Sequence, residues 1–249
     1  MSNITGSEIA KNGYKNEQNI CDIFNNYTNS SLARLWLNIM GYDISNIRFV
    51  NAYRTGKCFK TDITVSIWTT CKNGSLELNE ERIQVKLVSN KNGFNQIEKS
   101  KVNKYKSIWN MSDNVYRILR LYDGELLPYK ETRDPRRMFV DEMSRVEQNI
   151  LNEFLQNNII MIVLDIVRSC GKYTPEWVSV INSYEDQYKW SLVSINEASS
   201  KYIGDGKVVF TNNGNIRLGN ILLQRKGGDC GRETANMLQF KTNPLILLY

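Results

Sequence analysis

Two short strings hold the residues best equipped for chemistry: Lys60-Thr61-Asp62-Ile63-Thr64 and Ile83-Gln84-Val85-Lys86-Leu87. Each lies in an apolar alternation of strand type. Residues two apart in a strand point the same way, so Gln84 and Lys86 share a face while Val85 points into the core between them. If the two strands pair, the Asp62 carboxylate can approach the Gln84 amide. Mg²⁺ takes hard oxygen ligands and accepts one or two protein oxygens together with water and phosphate. The Asp62 carboxylate, the Gln84 side chain and the Val85 carbonyl offer such a set. Lys86 would then stand where it can orient an attacking water and offset charge developing on a phosphate. The same spacing also describes the polar outer face of an ordinary antiparallel pair, because a single D…QxK is a short pattern.

The chain has no histidine. That excludes Ser-His-Asp triads, Cys-His pairs and imidazole zinc sites. Hydrolysis here must run on carboxylates, lysines and bound metal. The five cysteines, Cys21, Cys58, Cys71, Cys170 and Cys230, form no C-x-x-C and are odd in number. Reduced thiols in a cytoplasmic protein fit this better than structural zinc or a disulfide framework. A net charge of +6 suits a polyanionic partner without requiring one. The N-terminus lacks the apolar stretch of a signal peptide. The longest apolar run, residues 159–167, is too short to span a bilayer.

A second constellation is Gln224-Arg225-Lys226-Gly227-Gly228-Asp229-Cys230-Gly231-Arg232-Glu233. Its three glycines let the backbone come close to a ligand. Gln224, Arg225, Lys226, Asp229 and Arg232 are side chains of the kinds that read guanine and cytosine edges in the major groove. The competing reading is a solvated loop with its own ion pairs. Phe94 is an apolar residue in a polar, glycine-containing loop. It could enter a base stack as a wedge, or fold back onto the core.

The elements that must position these residues are legible from periodicity. Residues 14–27 read as a helix with Ile20, Ile23, Phe24 and Tyr27 on one face and Lys15, Glu17 and Asp22 elsewhere. Residues 31–40 read as a second, capped by Ser31, striped by Leu32, Leu35, Trp36 and Ile39, and ended by Gly41. From Ile47 the period changes to two. Strands are expected around residues 63–67 and 83–87, joined past Asn73-Gly74 by a connection longer than a tight hairpin. Helices are expected over residues 96–108 and 144–156, and strands over residues 159–167, 177–180, 190–195 and 221–224. Residues 225–232 read as a glycine-rich loop with a helix starting at Glu233. The expectation is a single domain over residues 1–249, α/β of a mixed α+β type, with one central sheet.

At these residues the chain resembles known nucleases. Asp62 followed by Gln84-Val85-Lys86 is similar to the active site of the PD-(D/E)xK superfamily, in the variant with Gln at the acidic position. The wider text resembles the HinP-type restriction endonucleases, which cut at GCGC. It runs from Gln84 through Lys91-x-Gly93-Phe94-Asn95-Gln96-Ile97. It continues in Arg117-Ile118-Leu119-Arg120, in Arg136-Arg137-Met138-Phe139, and in Gln224 to Asp229 with Gly231 to Lys241. The likeness spans nearly the whole chain. It implies a type II restriction endonuclease with an α/β nuclease core in a bacterial cytoplasm. It implies Mg²⁺, two ions per active site, double-stranded DNA as partner, a homodimer, and a cognate methyltransferase as genetic partner. Asp62, Gln84 and Lys86 map onto catalytic positions, and Asp62, Gln84 and Val85 onto metal positions. Phe94 and Gln96 map onto a loop that distorts DNA. Gln224, Arg225, Lys226, Asp229 and Arg232 map onto base readout. The superfamily's Pro-Asp is Thr61-Asp62 here, and Gln84 replaces an acid, which lowers the site's negative charge. Glu17 is a further candidate to support a metal or its waters. A structure-selective repair or junction nuclease, and a DNA-binding protein without catalysis, remain the alternatives.

Overall fold

The structure, a computed structural model, describes residues 6–56, 60–89, 93–169, 173–183, 189–226 and 235–248. In chain order its regular elements are α1 (Gly6–Asn25), α2 (Ser31–Ile39), β1 (Ile47–Arg54), β2 (Ile63–Thr70), β3 (Leu76–Val88), β4 (Asn95–Ser100), α3 (Val102–Ile108) and α4 (Asp113–Asp123). They continue with α5 (Arg145–Arg168), β5 (Trp177–Asn182), β6 (Lys189–Ser194), α6 (Ile195–Ile203), β7 (Val208–Phe210), β8 (Ile216–Leu218), β9 (Ile221–Arg225) and β10 (Leu238–Thr242). The mixed α/β class agrees with the sequence reading.

The expectation of one central sheet is corrected. The chain forms two compact units, and each carries its own five-stranded sheet. The first unit comprises Met1–Lys91, Arg168–Ala198 and Pro244–Tyr249, with strand order β1-β2-β3-β5-β6. The second comprises Asn92–Val167 and Ser199–Asn243, with order β4-β10-β9-β8-β7. The four short strands of the second sheet that were not foreseen are weak signals, because three- to six-residue runs show little periodicity.

In the first unit the helix stripe and the strand alternation meet. Ile20, Cys21 and Phe24 of α1 and Trp36 and Leu37 of α2 pack on Val50, Ala52, Ile63, Val65, Ile67 and Ile83. Phe24 and Trp36 lie 5.2 Å apart, and Trp36 meets Trp190 edge-on at 5.7 Å. Each large side chain buried this way stabilises the unit by roughly 1.5–3 kcal/mol. β3 is the central strand, antiparallel to β2 and parallel to β5. Strand β3 begins at Leu76, paired with Thr70, so residues 76–82 are strand and the turn at Asn73-Gly74 is tight after all. Two details of α2 differ from expectation. Ser30 is its cap, its hydroxyl accepting the Ala33 N–H at 3.1 Å, and Leu35 and Ile39 are exposed while Ala33 and Leu37 are buried.

Three further expectations change. Residues 96–100 form strand β4, and the helix α3 starts only at Val102. Residues 159–167 belong to α5, not to a strand. A continuous apolar run cannot separate the two by period, and no Gly or Pro interrupts residues 145–168. By length and composition α5 could cross a membrane. However, its Leu151, Leu155, Ile159, Ile162, Val163, Ile166 and Val167 are buried in the protein. Finally, Leu238 opens strand β10, where a helix running from Glu233 was expected.

The start of α5 is secured by one carboxylate. Glu147 accepts from the Tyr129 hydroxyl at 2.5 Å, the Ser144 N–H at 2.9 Å, the Ser144 hydroxyl at 2.8 Å and Arg117 at 2.6 Å. Burial would raise its pKa, but these bonds overcome burial and bring it down to about 2. A depressed folded-state pKa gives stability that is present above the ordinary glutamate range and is lost as pH falls through the folded value. Glu147→Gln should cost about 1–3 kcal/mol at neutral pH. Denaturant melts of the two proteins should converge as pH falls from about 4.5 towards 2.

Candidate active site

Asp62 sits at the mouth of β2, and its backbone is held on both sides. Its N–H donates to the Ile83 carbonyl at 2.9 Å, and its carbonyl accepts the Thr55 N–H at 2.8 Å. Its carboxylate Oδ2 then accepts the Val85 N–H at 2.7 Å. The side chain thus takes the place of a strand carbonyl where β2 begins. Thr61, fully buried, donates its hydroxyl to the Tyr173 carbonyl at 2.7 Å. The residue before Asp62 is therefore fixed by hydrogen bonding.

The pairing Ile63↔Ile83, carried one residue further, sets Asp62 opposite Gln84. Gln84 is only 3% exposed. Among the described residues no hydrogen bond engages its side-chain amide. The amide is thus open to a ligand. Val85 and Leu87 pack on the apolar core, so the alternation of β3 holds as expected. Asp62, Gln84, Val85 and Lys86 are brought together at one point of the first unit.

Glu17 joins them. Its position in the series 17, 20, 21, 24 places it on the buried stripe of α1, not off it as the sequence reading had it. The Asn25 side chain pins that helix to the sheet, donating to the Ala52 carbonyl at 3.0 Å and accepting the Ala52 N–H at 2.7 Å. Glu17 accepts from Arg54 at 2.9 Å, and the Arg54 guanidinium lies 4.7 Å from the Tyr14 ring centre. Arg54 and Tyr14 were not foreseen; long-range pairing between a helix and an edge strand leaves no local pattern.

The electrostatics follow from crowding. Burial pushes the Asp62 pKa up, opposed by Lys86, by the Val85 N–H and by Arg54. Burial likewise raises Glu17; Arg54 opposes the rise and the Asp62 charge adds to it. Burial lowers Lys86, and Asp62 and Glu17 pull it back. Two desolvated carboxylates that repel one another form a site a cation would relieve. Among the described residues no group of three or more His, Cys, Asp or Glu is placed to hold a metal ion. The Asp62 and Glu17 carboxylates, the Gln84 side chain and the Val85 carbonyl offer oxygen donors, the kind of atom that Mg²⁺ takes.

The residues proposed to meet DNA lie in the second unit. Phe94 precedes β4 and is 56% exposed. Gln96 is on strand β4, not in a loop, and Gln224 is on β9. Arg225 is 9% exposed and donates to the Asp123 carbonyl at 2.8 Å and to the Asn236 side chain at 2.7 Å. Asn236 in turn donates to the Gly124 carbonyl at 2.7 Å. Gly124 has φ +90°, and a Cβ there would come within 2.8 Å of the Arg136 carbonyl. Lys226 donates its N–H to the Met237 carbonyl. Asp229 and Arg232 lie outside the described residues.

The family profile of the R.HinP1I restriction endonuclease matches residues 40–248. The chain belongs to the R.HinP1I restriction endonuclease family. It is a type II site-specific deoxyribonuclease. A solved structure of similar fold is restriction endonuclease MspI in complex with its cognate DNA, with TM-score 0.66 and 17% identity over 95% of this chain and 91% of that one. At that identity the likeness concerns the fold. A search among curated proteins returns no significant match. The matched span contains Asp62, Gln84 and Lys86, whereas Glu17 lies before it.

Because Asp62 repels Glu17, Asp62→Ala should lower the Glu17 pKa in the metal-free protein. Carbon-detected NMR titration of the Glu17 carboxyl would read the shift. An unchanged or higher midpoint would separate the two groups.

Proposed function

We propose that this enzyme cuts both strands of DNA at a short palindromic tetranucleotide, GCGC, in a Mg²⁺-dependent reaction of PD-(D/E)xK type with Gln at the acidic position. The observation that carries the reading is the Asp62 carboxylate, fixed by the Val85 N–H at 2.7 Å beside the unengaged Gln84 amide and Lys86. Asp62, Gln84 and the Val85 carbonyl would hold the metal, with Glu17 supporting its waters. The ion would supply Lewis acidity towards the phosphate and acidify a nearby water. Lys86 would offset the charge that builds on the phosphate. Arg54 orients Glu17 and opposes the rise in its pKa that burial causes.

The site GCGC comes from the family likeness, as does pairing of two subunits on a palindrome. A bacterial cytoplasm with a cognate methyltransferase is the setting the same likeness supports. Phe94 is proposed as a wedge, since an exposed aromatic next to β4 is available to a base step. Lys226 is proposed to meet DNA. Arg225 is already engaged with Asp123 and Asn236, and its contribution to readout is proposed to run through that network.

Plasmid digestion tests the chemistry. Asp62→Ala and Lys86→Ala should slow cutting by about a hundredfold or more, with much of the DNA affinity kept, because most phosphate and base contacts lie elsewhere. Gln84→Ala should be slowed severely as well. Mg²⁺ and Mn²⁺ should support cutting, whereas Ca²⁺ should support binding only. Wild-type rates in Asp62→Ala would remove this site from consideration, and nicking confined to branched DNA would favour a junction enzyme.

A further inference from the structure

Three glutamines cross the second sheet in a single hydrogen-bonded row. Gln239 on β10 stands directly opposite Gln224 on β9. The Gln224 Nε2 donates to the Gln239 Oε1 at 3.0 Å. The Gln239 Nε2 donates to the Gln96 Oε1 at 2.6 Å. Gln96 reaches this row because β4 is irregular against β10. The register passes from Phe240↔Glu98 to Lys241↔Gln96, so one residue of β4, Ile97, is left without a partner. Such a bulge re-aims the side chains beside it. Exposure grades along the row: Gln239 is 9% exposed, Gln224 is half-buried and Gln96 is exposed.

An amide has one donating end and one accepting end. A row of amides bonded end to end therefore shares one direction, and reversing one member reverses all. Gln239 is the middle member and both receives and gives. With its direction set, Gln96 keeps its NH₂ for an outside acceptor and Gln224 keeps its carbonyl oxygen for an outside donor. Base edges offer both kinds of group. A buried glutamine at a packed strand position, where an apolar residue would be cheaper, is explained by this task.

We propose that Gln239 is a positioning residue for base recognition: through the row Gln224–Gln239–Gln96 it sets which end of each flanking amide is presented to DNA. The inference rests on the reading that Gln96 and Gln224 face the nucleic acid. Gln239 itself touches no base. It couples the orientation of the two flanking side chains, so that one presents a donor when the other presents an acceptor.

The test compares affinities for the cognate duplex and for each single-substituted duplex, with Ca²⁺ in place of Mg²⁺. Gln239→Leu keeps the volume and removes both bonds. It should cut the cognate-to-mismatch ratio about tenfold, the scale of one oriented base contact, while the melting temperature stays within a few degrees. Gln239→Glu accepts from both sides. It should force Gln96 to turn its NH₂ inward and its oxygen outward, and so change the rank order of the substituted duplexes. In the double variant Gln96→Ala with Gln239→Leu, the loss should not exceed that of the larger single one. Uniform weakening on all duplexes by Gln239→Leu and Gln239→Glu would overturn the proposal, leaving Gln239 a sheet-holding residue. If Gln96→Ala and Gln224→Ala also leave the ranking untouched, the base-facing reading falls with it. The cleavage reading is tested apart, because Asp62→Ala and Lys86→Ala report on cutting and not on ranking.

Discussion

The bond from the Val85 N–H to the Asp62 carboxylate is the constraint on which the first unit turns. It fixes an acidic side chain at the end of a strand. Everything near it serves that placement. Thr61 anchors the preceding residue, the Asp62 backbone is bonded on both sides, and the apolar face of β3 packs beneath. The carboxylate is prepositioned, and its desolvation is the cost of that arrangement. Burial raises both Asp62 and Glu17, and the repulsion between them raises Glu17 further. Lys86 and Arg54 offset part of that cost.

The same logic of fixing side chains by their neighbours recurs in the second unit. The glutamine row and the Arg225–Asn236 pair both use hydrogen bonds to remove rotational freedom from polar side chains. An immobilised donor loses less entropy on meeting a ligand than a free one. Polar side chains held on strands in this way keep a defined geometry.

Much of the candidate site's geometry was legible in the sequence because its residues are local to two strands. Asp62, Gln84, Val85 and Lys86 follow from a period of two and a pairing of neighbours, and the register confirms that pairing. Glu17 was visible but assigned to the wrong face of its helix; the series 17, 20, 21, 24 would have placed it correctly. Arg54 was hidden, since its link to Glu17 depends on how a helix packs on an edge strand. The second sheet was mostly missed. Its strands are short, and residues 96–100 and 159–167 carry patterns that serve helix and strand alike. Arg225 shows a different limit. Its type suggested direct base contact, yet two acceptors from its own unit already occupy its guanidinium. A side chain's chemistry can be read from sequence, but its prior engagements cannot.

The anchoring of Arg225 and Asn236 on the end of α4 carries one more implication. These residues stand at either end of the stretch from 226 to 235, and they bond to each other and to adjacent carbonyls of Asp123 and Gly124. The backbone bond from Lys226 to Met237 closes the same base. Arg225, Asn236 and the left-handed Gly124 are thus constrained by folding as a set, so a change at any one of them disturbs the bonds that hold the other two.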